Sequence, residues 1–275
     1  MALKPEPLSF QQLSHMDTTG QASMNYFIGD AIMCTDECSG QFSEKFLRLA
    51  PDVSCMMGGG IRALNPHFRP ADPYDDAQAA MRAVRRDYIL PETGLLIGNF
   101  CAYDRFDPDY LARICDILLA VDDRLVLIAR SIDADRRIRE FARKPKCADR
   151  IIFTHFIDAD PRRLLTPMGA IDNFLDCWKF NAHTLFLQYL YAVLTLSGQT
   201  VASRVGASLL TAHGFPRCIK TTRDEWKNYA IRNKGVIQTR ADHVCHGVHT
   251  CCIASRSSAR SVIDQLPWRI RPQTS

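Results

Sequence analysis

The run Asn181-Ala182-His183-Thr184 stands directly ahead of an apolar stretch. An imidazole and a hydroxyl at the first turn of a helix suit the binding of an anion, because the unpaired backbone N–H groups there carry the positive end of the helix dipole. Two other places offer matching chemistry. Gly198-Gln199-Thr200 precedes a helical pattern that starts at Ser203, and Arg105 lies in the loop Cys101 to Phe106. Brought together, a guanidinium, an imidazole and a hydroxyl would converge on one crevice where helix N-terminal amides attract phosphate. Each residue also has a plainer reading. Asn181 and Ser203 read as helix caps. Arg105 reads as a surface partner of Asp104 or Asp107, a pairing worth about 0–1 kcal/mol. His15, ahead of Thr18-Thr19-Gly20, reads as an ordinary loop histidine.

The elements that must position these residues are written in the hydrophobic pattern. Leu95-Leu96-Ile97, Leu125-Val126-Leu127-Ile128 and Ile151-Ile152-Phe153 read as strands buried on both faces, with a fourth at Ile171 to Leu175. Asp107-Pro108, then Tyr110, Leu111, Ile114, Ile117 and Leu118, gives an N-cap, a proline at the first helical position and apolar spacing of three and four. Asp133 to Lys144 reads as a helix closed by Pro145, Ser203 to Ala212 as one stopped by Gly214, and Thr222 to Glu225 as a capping box ahead of Trp226 and Tyr229. Strand and helix alternate, which predicts a doubly wound parallel sheet. Met24 to Met33 is expected to pass from helix to strand. Cys55 to Asp76, with Gly58-Gly59-Gly60, is expected to be a connector, since that triplet lacks the surroundings of a phosphate fingerprint.

A 275-residue chain that is 47% hydrophobic and 23% charged has the make-up of a packed α/β protein. Its net charge of +4 is too small to call for a nucleic-acid partner. The apolar run Thr184 to Leu196 is interrupted by Gln188 and falls short of the roughly 20 residues a membrane span needs. Eleven cysteines with no secretory leader are expected to be reduced thiols. His243, Cys245, His246, His249, Cys251 and Cys252 supply zinc-type donors, but without paired Cys-x-x-Cys spacing the expectation is no metal site.

Two segments carry a family likeness. Leu175-Asp176-Cys177-Trp178-Lys179-Phe180-Asn181-Ala182-His183-Thr184 resembles the Leu-Asp-Thr and Tyr-Asn-Ala-His-Thr-Thr motifs of the O-GlcNAc transferase family, and the stretch Gly198 to Val205 is similar to its Gly-x-Thr-x-Ala-Ser-Arg-Val. Thr18-Thr19-Gly20, then Met24, Tyr26 and Asp30, then Ser43-Glu44-Lys45, resemble further landmarks, and Phe100 to Pro108 resembles the segment bearing the family's phosphate-binding lysine. The likeness covers roughly residues 10–232. It implies a fold of the GT-B type: a remnant of the first catalytic lobe over 1–75, a UDP-sugar-binding lobe over 76–235, and a divergent tail over 236–275.

The resemblance also implies a reaction, the inverting transfer of GlcNAc from UDP-GlcNAc to Ser or Thr of a protein acceptor. It would run in the cytoplasm or nucleus with no metal and no cofactor beyond the donor. Carried over by position, Arg105 and His15 would be catalytic, and His183, Thr184, Asn181, Arg105, Gln188 and Ser203 would bind the donor. There are departures. Arg105 replaces a lysine, Leu185 a second threonine, and Gln188 an aspartate that helps hold the nucleotide; a lost charged hydrogen bond costs on the order of 1.5–3 kcal/mol. The turn Gly-Val-Pro is missing between Ala192 and Val193. These departures leave open a module that keeps the fold and binds without turnover.

Overall fold

Short aliphatic strands that must bury both faces demand helices on either side of a sheet, and this is the arrangement found. The computed structural model describes residues 8–12, 15–49, 82–121, 124–128, 131–154, 170–183, 193–212 and 214–233. Its first part is a parallel three-stranded sheet of β1 (Phe10–Gln11), β2 (Tyr26–Asp30) and β3 (Lys45–Leu49), with the one-turn helix α1 (Asp36–Ser39) between the last two. Its second part follows a helical segment over 82–87. Here β4 (Leu96–Asn99), β5 (Arg124–Ile128), β6 (Ile151–Thr154), β7 (Asn173–Leu175), β8 (Val193–Leu196) and β9 (Ile219–Lys220) form a second sheet in the order β6-β5-β4-β7-β8-β9. Every pairing in it is parallel.

The helices around this sheet are α2 (Pro108–Val121), α3 (Ile132–Arg143), α4 (Val205–Ala212) and α5 (Arg223–Arg232). Their starts follow from local chemistry. Asp107 Oδ1 accepts from the Tyr110 amide at 2.7 Å, Ser131 caps α3 by accepting from Ala134, and Thr222 and Glu225 form a reciprocal capping box. α2 turns Tyr110, Ile114, Cys115, Ile117 and Leu118 inward. Trp226 of α5 is fully buried and its indole donates to the Leu194 carbonyl at 3.3 Å, so the helix is tied to the edge of β8. At the opposite end of the sheet, the Asp172 carboxylate accepts from the Leu96 amide and pairs with Arg85 at 2.7 Å, fixing the starts of β4 and β7 side by side.

Three expectations need correction. Met24 to Met33 contains no helix: β2 pairs from Tyr26 to Asp30 with β3, and the chain then turns because Asp30 Oδ1 accepts from the amides of Ile32 and Met33. The segment from Ser203 is not one helix. Val201–Ser203 is a single 3-10 turn under a Thr200–Ser203 capping box, and the α-helix begins only at Val205. The cysteines are not all thiols, for Cys115 of α2 and Cys147 beyond α3 are joined as a disulfide, while Cys34, Cys38, Cys101, Cys177 and Cys218 are buried thiols. Ile89 adopts φ 55° with 92% of its surface exposed, a left-handed conformation that suits glycine and burdens a β-branched residue.

The region from Met24 to Asp30 does not stand apart from the larger sheet. Ser208 of α4 donates to Asp30 Oδ2 at 2.7 Å, Arg204 Nε donates to the Ile32 carbonyl at 2.7 Å, and Gln41 Nε2 donates to the Gln199 carbonyl at 3.1 Å. One apolar cluster runs from Phe27 and Met33 through Phe174 and Leu194 to Trp226.

Candidate functional site

The strand order has one reversal. From β4 the chain winds outward to β6, then returns to the other side of β4 as β7 and winds outward again to β9. Where the winding reverses, the connections leave on opposite faces and a crevice opens beyond the carboxyl ends of the strands. The segments that flank it are the loop after β4, which carries Arg105 at the end of a 3-10 turn (Tyr103–Arg105), and residues 176–183 after β7.

These two segments meet. Arg105 NH1 donates to the Asn181 carbonyl at 2.7 Å, and its guanidinium carbon lies 4.1 Å from the centre of the Phe180 ring. His183 joins the cluster, its ring centre 4.4 Å from that of Phe180. A cation and an imidazole thus both lie against one aromatic ring, the guanidinium held by charge–quadrupole attraction as well as by its hydrogen bond. Lys179 Nζ lies 3.2 Å from Asp107 Oδ2 and is 71% exposed, which adds a second cation to the rim.

The turn that presents Phe180, Asn181 and His183 is fastened from beneath. Trp178 packs edge-on against Tyr110 at 5.5 Å and against Trp226 at 5.4 Å. Asn99, at the end of β4, donates through Nδ2 to the Tyr110 hydroxyl at 2.8 Å and the Leu175 carbonyl at 2.7 Å. Asp176 is wholly buried, and its carboxylate accepts from the Cys177 amide at 2.9 Å, the Ala182 amide at 2.8 Å and the Thr195 hydroxyl at 2.7 Å. Gly206, at the start of α4, lies so close that a methyl group there would stand 2.4 Å from Thr195 Oγ1 and 2.8 Å from Asp176 Oδ2.

Burial decides the charges. It drives the His183 pKa down to about 4, assisted by Arg105 and opposed by the Ala202 carbonyl 3.5 Å from Nε2, so the ring is neutral near pH 7. Burial likewise pushes Asp176 up to about 7, against its hydrogen bonds from Thr195, Ala182 and Cys177 and the nearby Arg105. The positive charge of the cluster is therefore carried by Arg105. A guanidinium and a neutral imidazole in one cluster suit the binding of an anion.

Comparison with known proteins sharpens this. The sequence profile described as Glycosyl transferase family 41 matches residues 57–255, more than half of the chain. The chain belongs to that family. Among similar proteins are a probable UDP-N-acetylglucosamine-peptide N-acetylglucosaminyltransferase of Arabidopsis thaliana, 25% identical over 84% of this chain, and a UDP-N-acetylglucosamine-peptide N-acetylglucosaminyltransferase of Caenorhabditis elegans, 26% identical over 68%. The chain spans less than a quarter of the length of these relatives, 23% and 16% respectively. A mutant of the Thermobaculum terrenum O-GlcNAc transferase shares the fold with a TM-score of 0.71, covering 94% of this chain and 46% of its own at 23% identity. The fold is accordingly that of a GT-B glycosyltransferase.

Within this family-41 chain the residues singled out from sequence divide by location. Arg105, Asn181 and His183 share one site. Asn181 is fully buried with both polar ends occupied, Nδ2 donating to the Cys177 carbonyl and Oδ1 accepting from the Gly206 amide, so its side chain ties the turn to α4. Ser203 is buried as well. Its hydroxyl donates to the Thr200 carbonyl and accepts from the Thr200 amide. Thr184 and Gln188, together with Leu185 and the junction ahead of Val193, lie outside the described residues.

His15 is exposed beside the first sheet, its carbonyl accepting from Gln11 Nε2, and among the described residues no hydrogen bond joins its ring to Arg105 or His183. Gly58-Gly59-Gly60 and the His/Cys-rich segment 243–252 also fall outside the described residues. Among those described, no group of His, Cys, Asp or Glu could hold a metal ion, and no helix is long and apolar enough to cross a membrane. Sequence reasoning passed over Phe180 and gave Asp176 no role of its own. An acidic residue immediately after a buried strand, followed by a turn rich in aromatics, was the available signal for both.

Proposed function

We propose that this family-41 glycosyltransferase chain binds the diphosphate of a UDP-sugar at the Arg105–Phe180–His183 cluster and transfers GlcNAc to a Ser or Thr hydroxyl of a protein. The observation that carries the reading is the meeting of both Arg105 and His183 with Phe180 at the reversal between β4 and β7. In the reaction the acceptor oxygen attacks the anomeric carbon, the bond from that carbon to the diphosphate breaks, and UDP takes the electron pair. Arg105 meets the growing negative charge with a guanidinium already oriented by Phe180 and the Asn181 carbonyl, so little reorganisation is needed. No metal is called for on this account. The neutral His183 adds a hydrogen bond and no charge, and Thr184 and Gln188 complete the donor site. His15 relays the acceptor proton. The setting is cytoplasmic or nuclear, and the partners are the UDP-sugar and the acceptor protein.

A second reading keeps the fold and the nucleotide without turnover. It is favoured by the inward commitment of Asn181 and Ser203, whose polar atoms are engaged within the protein, and by Leu185 and Gln188 where relatives carry a hydroxyl and a carboxylate.

Isothermal titration with UDP tests the site. Binding is expected in the wild type, is lost in His183→Ala, and weakens at least tenfold in Arg105→Ala; absence of heat at millimolar UDP ends the donor-site reading. Transfer of radiolabelled GlcNAc to an acceptor peptide then separates the two readings, because nucleotide binding without turnover selects the second.

A further inference from the structure

Arg105, Phe180 and His183 hold their places only if the backbone from residue 177 to residue 182 keeps its shape, and that backbone is short of conventional support. It is neither strand nor helix. Two of its amides, Cys177 and Ala182, point at one carboxylate oxygen, Asp176 Oδ1, at 2.9 and 2.8 Å. The first lies at the start of the turn and the second at its end, so this one atom spans the loop, alongside the bond from Asn181 Nδ2 to the Cys177 carbonyl at 2.7 Å. The other oxygen accepts from Thr195 on β8 at 2.7 Å, which fixes the carboxylate against the neighbouring strand. The absence of a side chain at Gly206 leaves the room that this contact occupies.

We propose that Asp176 is the positioning residue of the donor site: it touches neither substrate nor reacting atoms, and it sets the place of Phe180 and the Asn181 carbonyl, and through them the aim of the Arg105 guanidinium. The inference rests on the UDP-sugar reading above for its functional consequence, but not for its structural content. The groups around the carboxyl are the Thr195 hydroxyl from β8, Arg105 from the β4 loop, and the neighbouring Cys177 thiol, with Cys101 and the Tyr110 phenol behind them. Burial raises both Tyr110 and Cys177, leaving these two uncharged at neutral pH. An asparagine fits such a setting, since its carbonyl oxygen can accept from both amides while its amide nitrogen donates to Thr195. An alanine leaves three donors without an acceptor.

The test combines amide hydrogen exchange with UDP titration on Asp176→Ala, Asp176→Asn and Thr195→Val, the last keeping the two amide bonds should the alanine variant fail to fold. Wild type and Asp176→Asn are expected to protect the Cys177 and Ala182 amides and to bind UDP within about threefold of each other. Asp176→Ala is expected to lose that protection while α4 keeps its own, with UDP affinity down at least tenfold. Thr195→Val is expected to fall between, at three- to tenfold, with a partial loss of protection. Unchanged protection and UDP affinity in a folded Asp176→Ala, or in Thr195→Val if the alanine variant does not fold, would overturn the proposal. So would a weakened Asp176→Asn that is as poor as the alanine. If no form of the protein binds UDP, the donor-site reading falls by itself, and the exchange data still decide whether Asp176 shapes the turn.

Discussion

Glu44 and Asp176 are two buried carboxylates that do the same mechanical work in opposite halves of the chain and end with opposite electrostatics. Glu44, ahead of β3, accepts from the Thr18 hydroxyl at 2.7 Å, the Thr19 amide at 2.8 Å and the Thr19 hydroxyl, and so pins the loop Thr18-Thr19-Gly20 to the first sheet. Asp176 accepts from two amides and a hydroxyl and pins the turn of the second. Burial works to raise both. At Glu44 the hydrogen bonds from Thr19 and Thr18 outweigh it and hold the carboxyl at about 2, whereas at Asp176 burial outweighs the bonds and lifts it to about 7. Glu44 also accepts from the Ser43 hydroxyl at 3.2 Å and so has more donors than Asp176. The depth differs as well: Glu44 is 4% exposed among half-buried threonines, and Asp176 is 0% exposed beneath a layer of aromatic rings.

The largest effect is expected from removing the acceptors. Asp176→Ala strands three buried donors and should cost on the order of 4–6 kcal/mol, while Glu44→Ala frees threonines that water can reach and should cost about 2 kcal/mol. Urea unfolding of both variants checks the ranking, and equal costs would erase the difference in depth.

The pH dependence should have opposite signs. The Glu44 carboxyl is depressed from 4.5 to about 2, so its contribution is present above pH 4.5 and is lost as pH falls toward 2, by at most about 3 kcal/mol. The Asp176 carboxyl is raised from 3.8 to about 7, so its contribution is present below pH 3.8 and is lost as pH rises through 7, by at most about 4 kcal/mol. Thermal unfolding across pH should show the acid-side loss diminished in Glu44→Gln and the loss toward neutral pH diminished in Asp176→Asn. The same sign in both variants would contradict the assignment.

A smaller change is expected from thinning the donors around Glu44. Thr19→Val removes one hydroxyl and should move the acid transition to higher pH with a loss of about 1 kcal/mol, read from the same pH series. The smallest effect serves as a control that touches neither carboxylate. Ile89→Gly relieves a left-handed β-branched residue and should raise stability by about 1 kcal/mol with the shape of the pH profile unchanged. A lower melting temperature would show that Ile89 contributes more than its backbone costs.

Much of the scaffold could be read from the residues. The cap at Asp107, the box at Thr222 and Glu225, and the aliphatic strands around Ile97, Leu127 and Ile152 all appear within a residue or two of where their patterns place them. Each depends on neighbours close in the chain. Two of the three readings that needed correction depended on distant ones: β2 is a strand because Lys45–Leu49 lies beside it, and Cys115 meets Cys147 because α2 and α3 lie close together.

The site divides along the same line. Residue types alone named Arg105 and His183 as an anion-binding pair, since a cation and an imidazole near helix starts suit that task wherever they occur. Only the folded chain brings them together through Phe180, turns Asn181 and Ser203 inward as braces, and makes Asp176 the clasp of the turn. Sequence by itself determined which segments become strands and helices and how most of the helices begin, because those outcomes are settled by periodicity and capping over a few residues. The tertiary structure decided which loops share a crevice and which carboxylate keeps its charge, because both depend on the order in which strands assemble and on how far water is excluded.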